Sequence, residues 1–289
     1  MAAPGASNLV ILIIMFTEER ARWIYQHYRW LETHLPKRAA GKQPVLVTPT
    51  PEFYPQANTR NHAFAAAMFE ATKELMELQN WKCRLSSQRE DHADRDAALA
   101  RSGVYGRTEH KGAAGTFQID EEIQITYSPQ LVHEPVALVA TFSHELCHYL
   151  LATVKTEPPC GWKEHEPLTD LAAVHEGFGV FLCNSAFQFS QWTDSQYQGW
   201  KWRKQGYLTE AELGFALGVY CVRSGIQPDT AGKFLKMNPG EVFWDSIGYI
   251  TELEEKERAA QMGAPSIAPR RRSVFSSLAS LWRRKSAQK

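Results

Sequence analysis

The sequence predicts an α+β fold: a small mixed sheet with helices, followed by a mainly helical half. Three observations carry that prediction. The first 85 residues alternate Val- and Ile-rich runs with helical stretches, a βαβαβ order that favours a partly parallel sheet. Residues 116–127 alternate apolar and polar around Asp120-Glu121-Glu122, a hairpin pattern. After Pro135 the pattern turns helical and stays so to about residue 257.

Each element has its local reason. Leu9–Phe16 has strand length and composition. Thr17 can cap a helix with Glu18 and Glu19 in its first turn, where the helix dipole favours acids, and Pro36 ends it. Val45-Leu46-Val47 reads as a second strand closed by Pro49 and Pro51, and Asn61 to Gln79 as a second helix. Trp81–Leu85 reads as a third strand. Thr116–Ile119 and Ile123–Tyr127 are the two arms of the hairpin. Val136–Leu151 and Glu166–Phe187 are continuous helical patterns, the second with Pro167 suited to a first turn. Thr209-Glu210-Ala211-Glu212 is a capping box opening a helix to about Arg223. Shorter helices are expected at Pro228–Met237 and Val242–Glu257.

Composition narrows the function classes. With 44% hydrophobic and 22% charged residues among 289, the chain is neither collagenous, nor disordered, nor a coiled coil. Net charge is zero, but residues 258–289 carry eight Lys and Arg and no acid. The first 257 residues therefore hold 24 basic and 32 acidic residues, a net of −8, which argues against nucleic-acid binding through the core. Five cysteines without a Cys-x-x-Cys pair point to a reducing compartment rather than a disulfide framework. No apolar run has membrane-spanning length, so a cytoplasmic location is expected. Three segments follow: a sheet subdomain over 1–130, a helical metal-binding subdomain over 131–257, and a basic linker and amphipathic tail over 258–289.

The chemistry concentrates at His144-Glu145-Leu146-Cys147-His148, a His-Glu-x-x-His motif. At 3.6 residues per turn the two histidines share a helix face and can reach one Zn²⁺, with Glu145 beside them. The flanks Thr141-Phe142-Ser143 and Tyr149-Leu150-Leu151 are uncharged, as a buried active-site helix requires. A catalytic zinc site needs a third protein ligand. Glu166 on the next helix can supply it, and Asp170, one turn on, can accept the second N–H of a ligand histidine. Small residues on that face, Ala173 and Gly177, would let the two helices approach.

His144-Glu145-x-x-His148, followed after seventeen residues by Glu166-x-x-x-Asp170, resembles the gluzincin, thermolysin-like zinc peptidases. The resemblance implies a zincin-like fold, one Zn²⁺ per chain on His144, His148 and Glu166, Glu145 as general base, and Asp170 orienting a histidine. It implies metal-assisted hydrolysis of a peptide or protein substrate. It covers about 30 of the 289 residues, with a slightly shorter spacer than the family's and with His165 where Asn is frequent. His165, Glu164 and His175 remain rivals for the third ligand, although His175 falls on the opposite helix face. A non-catalytic, metal-stabilised binding or scaffold protein is the alternative.

Other features are secondary. Either hairpin strand could offer the sheet edge on which such peptidases hold extended substrates. Tyr197 and Tyr207 are candidates for oxyanion stabilisation. The aromatics between Trp192 and Tyr207 read as packing before a substrate groove. The Gly177–Phe181 run sits mid-helix and is no phosphate loop. The cluster Asp91, His92, Asp94, Arg95 and Asp96 reads as a solvated face rather than a second metal site. In the tail, Val274, Phe275, Leu278, Leu281 and Trp282 recur at helical spacing between two basic triplets. Residues 270–285 could therefore meet an anionic membrane surface or an acidic partner, which would make the protein peripheral at the membrane.

Overall fold

The computed structural model describes residues 17–35, 45–54, 58–87, 115–119, 123–194 and 207–261. The expected strand Leu9–Phe16, the acidic cluster at 91–96, Tyr197 and the tail lie outside them. So do most of the aromatics between 192 and 207.

Helix α1 spans Glu18–His34. The Thr17 hydroxyl accepts from the Arg20 N–H at 3.2 Å, and Leu35 turns extended ahead of Pro36. Helix α2, His62–Leu75, starts at Asn61, whose side chain caps the Phe64 N–H. It ends four residues before the expected limit. The three strands are β1 (Cys83–Ser87), β2 (Gly115–Ile119) and β3 (Ile123–Tyr127). Their order is β1-β3-β2, with β3 parallel to β1 and antiparallel to β2, so the sheet is mixed. The hairpin register, Gly115 opposite Tyr127 and Ile119 opposite Ile123, leaves the three-residue loop expected from the pattern. Because β3 is paired on both sides, it cannot be the substrate edge. Of the two hairpin strands, β2 is the one at an edge of the described sheet, with β1 at the other edge.

Two expectations fail, for one reason. Val45-Leu46-Val47 is not a strand. It pairs in no ladder, and the Val47 N–H donates to the Gly177 carbonyl at 3.0 Å. The helix expected over Glu166–Phe187 is broken at the same place. Helix α4 (His165–Ala173) passes through a π-helical turn, Val174–Phe178, into α5 (Gly179–Asp194). Gly177 has φ +98°, and a Cβ there would run into the Val45 carbonyl oxygen. Gly177 thus receives the 45–47 segment and does not ease contact with the helix of His144. β1 also begins two residues later than expected.

Helix α3, Pro135–Ala152, has Pro at its first turn and thirteen buried residues. The capping box at Thr209 opens α6 (Glu210–Ser224), and Gly225, at φ +68°, closes it. The short α7 (Pro228–Gly232) and the long α8 (Met237–Gln261) complete the described chain. One buried apolar cluster runs from Ala21 to Ile250 and joins sheet and helices. All five cysteines are free thiols. Among the described residues no helix is long and apolar enough to cross a membrane.

Candidate metal centre

Packing decides which way α3 faces. Phe142 meets Phe69 of α2 and Tyr127 of β3 edge-on, at ring distances of 5.2 and 5.8 Å. His144 is two residues, about 200°, further round the helix. With Phe142 anchored in the sheet layer, His144 and His148 turn toward α4. On α4, Glu166 occupies the first turn and Asp170 the next.

Glu166 Oε2 lies 3.3 Å from His144 Nε2 and 3.6 Å from His148 Nε2. One ligand atom from each of the three residues falls within 4.8 Å of the others, a group that could hold a metal ion. Proton placement sharpens this. The Asp170 carboxylate lies 2.8 Å from His144 Nδ1, so that nitrogen carries the proton and Nε2 presents a lone pair. The Thr169 hydroxyl donates to the His165 carbonyl at 2.7 Å and has only acceptor capacity left for His148 Nδ1, at 3.3 Å. His148 Nε2 is then a lone pair as well. Both point to Glu166 Oε2, which is buried and makes no hydrogen bond of normal geometry. Three lone pairs converging out of water repel unless a cation stands between them. The donor set of two imidazoles and one carboxylate fits a divalent transition ion.

The electrostatics of these side chains point to the same group. Burial opposes the charged form of His144, but hydrogen bonds to Asp170 and Glu166 outweigh it and lift its pKa to about 10. Burial would raise Glu166, yet the three histidines around its carboxylate hold it far below the carboxylate range. A proton and a dication thus compete for the same lone pair of His144 Nε2. His148 is shifted down by burial. Burial raises Glu145 to about 7 against the opposing charge of His144, and Glu166 adds to the rise.

The centre gathers His144, Glu145, His148, Glu166 and Asp170. Two of the rivals for the third ligand are held elsewhere. Glu164 pairs with Arg20 at 3.7 Å. His175 bonds Glu176 at 3.0 Å and packs on Tyr28. His165 stays half exposed and bonds the other Glu166 oxygen, Oε1, at 3.0 Å. Tyr207 enters the centre, its ring 5.4 Å from that of His144. Burial and the charges of Glu166, Asp170 and Glu145 push its phenol well up.

Two contributors escape a sequence reading: Thr169 and the Leu208 N–H that donates to Asp170 Oδ2 at 2.9 Å. Only Thr169 left a signal, one turn after His165 and beside Asp170. Comparison with family models, with curated proteins and with solved structures finds no match.

Proposed function

We propose that this chain is a zinc-dependent peptidase with a zincin-like active site, its ion held by His144, His148 and Glu166. The observation that carries the reading is the convergence of their three lone pairs beside a buried Glu145. A dication bound there supplies a Lewis acid, which makes water acidic near neutral pH and polarises a carbonyl.

The chain's own residues do the rest. Asp170 and Thr169 fix the two imidazole tautomers and keep Nε2 of each aimed inward. Glu145, the acid next to His144, is 4% exposed. Its carboxylate takes a proton from the attacking water and returns it to the leaving amine. The Tyr207 phenol, held protonated, is a donor for the developing oxyanion. The edge strand β2 offers main-chain groups to an extended peptide or protein substrate. Action at a membrane through residues 270–285, within a cytoplasmic setting, belongs to the same reading.

Metal analysis and a peptidase assay test it together. Purified wild type should carry about one zinc per chain. Glu166→Gln should lose it. Glu145→Gln should keep it while hydrolysis falls by about 10²–10⁴-fold. Undiminished hydrolysis by Glu145→Gln would sink the mechanism. Zinc bound at full occupancy without turnover would favour a scaffold protein.

A further inference from the structure

We propose that Arg20 is a positioning residue for the metal centre, a clamp on the two segments that hold it from outside. The inference rests on the reading of His144, His148 and Glu166 as ligands. Arg20 sits on the first turn of α1, and its side chain meets Glu212, Glu164 and Trp23.

Two routes lead inward from its guanidinium. On the first, Arg20 Nε donates to Glu212 Oε1 at 2.5 Å. Glu212 Oε2 accepts the Thr209 N–H at 2.8 Å. The preceding N–H, that of Leu208, donates to Asp170 Oδ2, and Asp170 Oδ1 bonds His144 Nδ1. On the second, Arg20 Nη1 lies 3.7 Å from Glu164 Oε2, in the turn that opens α4 two residues before Glu166. One cation therefore pairs with two carboxylates whose chain neighbours aim Asp170 and Glu166. The guanidinium also stacks 4.6 Å from the centroid of Trp23, which fixes its plane.

Burial gives the clamp its leverage. The Glu212 side chain is 8% exposed, so its charge depends on a partner. Without Arg20, Glu212 has reason to turn to solvent. The Thr209 N–H then loses its acceptor, and the Tyr207–Thr209 stretch loses the tension that keeps Leu208 on Asp170. His144 would keep its place on α3 but lose part of its aim. Partners bonded directly to a metal ligand alter affinity by about 10–100-fold, and Arg20, further out, should reach only the lower end of that range.

The test is zinc affinity of the full chain, by competition with a chromogenic chelator, together with the visible spectrum of the cobalt-loaded protein. Arg20→Gln should weaken zinc binding by about 10-fold and shift the cobalt bands. Arg20→Lys, which keeps the charge, should recover part of the loss. Arg20→Gln combined with Glu212→Gln should lose no more than Arg20→Gln alone, because both act on one route. Arg22→Gln, on the same helix in an exposed pair with Glu18, should leave both readouts unchanged.

A purely structural role would lower the melting temperature of Arg20→Gln while leaving affinity and spectrum at wild-type values, and that result overturns the proposal. Full additivity of the two changes overturns it as well. A wild type that takes up neither zinc nor cobalt removes the ligand assignment itself, and this inference with it.

Discussion

At the candidate metal centre, His148 is oriented by atoms outside the group that could hold the ion. Its Nε2 faces Glu166 because Thr169 occupies Nδ1, and Thr169 can only accept there because its proton is spent on the His165 carbonyl. Thr169→Val keeps the shape and deletes the acceptor. It should cost about 10–100-fold in zinc affinity, read by chelator competition, while Thr169→Ser should bind nearly as wild type. Equal affinity of the Val variant would mean that packing alone orients His148. The grouping of His144, His148 and Glu166 was legible in the sequence, because a helix fixes the His-Glu-x-x-His and Glu-x-x-x-Asp faces by spacing alone. Thr169, Arg20 and the Leu208 N–H were not. Each acts across a contact between elements, and no spacing rule encodes those.

At the scale of elements, caps and turns were readable where one residue type has one local use. The Thr17 cap, the Thr209 capping box and the three-residue hairpin loop all stand as expected. The break at Val174–Phe178 was hidden because the apolar period runs straight through it. Only Gly177, in its left-handed conformation, accommodates the Val45 carbonyl, and the same contact converts an expected strand into an anchored segment. Gly177→Ala should therefore destabilise by about 2 kcal/mol or more, from backbone strain plus the clash, measured by urea unfolding. Gly248→Ala is the matching control. It lies inside α8 with nothing within 4 Å of an added Cβ, and it should stabilise by about 0.5–1 kcal/mol. If both substitutions behave alike, the Gly177 turn carries no strain.

Across the whole molecule, α1 ties the last helices to the core. Arg223 of α6 bonds Glu32 of α1 through two nitrogens, at 2.8 and 2.7 Å, and also pairs with Glu254 of α8, which accepts from the Tyr25 hydroxyl at 2.8 Å. On the same helix His27 is 3% exposed and stacks on Trp23 at 4.1 Å. Its Nδ1–H donates to the Trp23 carbonyl, and its buried Nε2 has no partner. Burial lowers its pKa, the Trp23 bond and Glu164 act the other way, and Arg20 adds to the lowering. The sign follows from proton counting. Below about pH 6.5, the ordinary histidine value, the unfolded chain binds a proton that the folded chain refuses. The neutral ring thus contributes its full share of stability above that pH, and the share is lost as pH falls toward the folded-state pKa. The slope is at most about 1.4 kcal/mol per pH unit. His27→Phe keeps the stack and removes the titration. Its urea midpoint should fall less steeply than that of wild type between pH 7 and 5. Parallel pH profiles would show that α1 tolerates a charged ring, and that another group sets the acid limit of the fold.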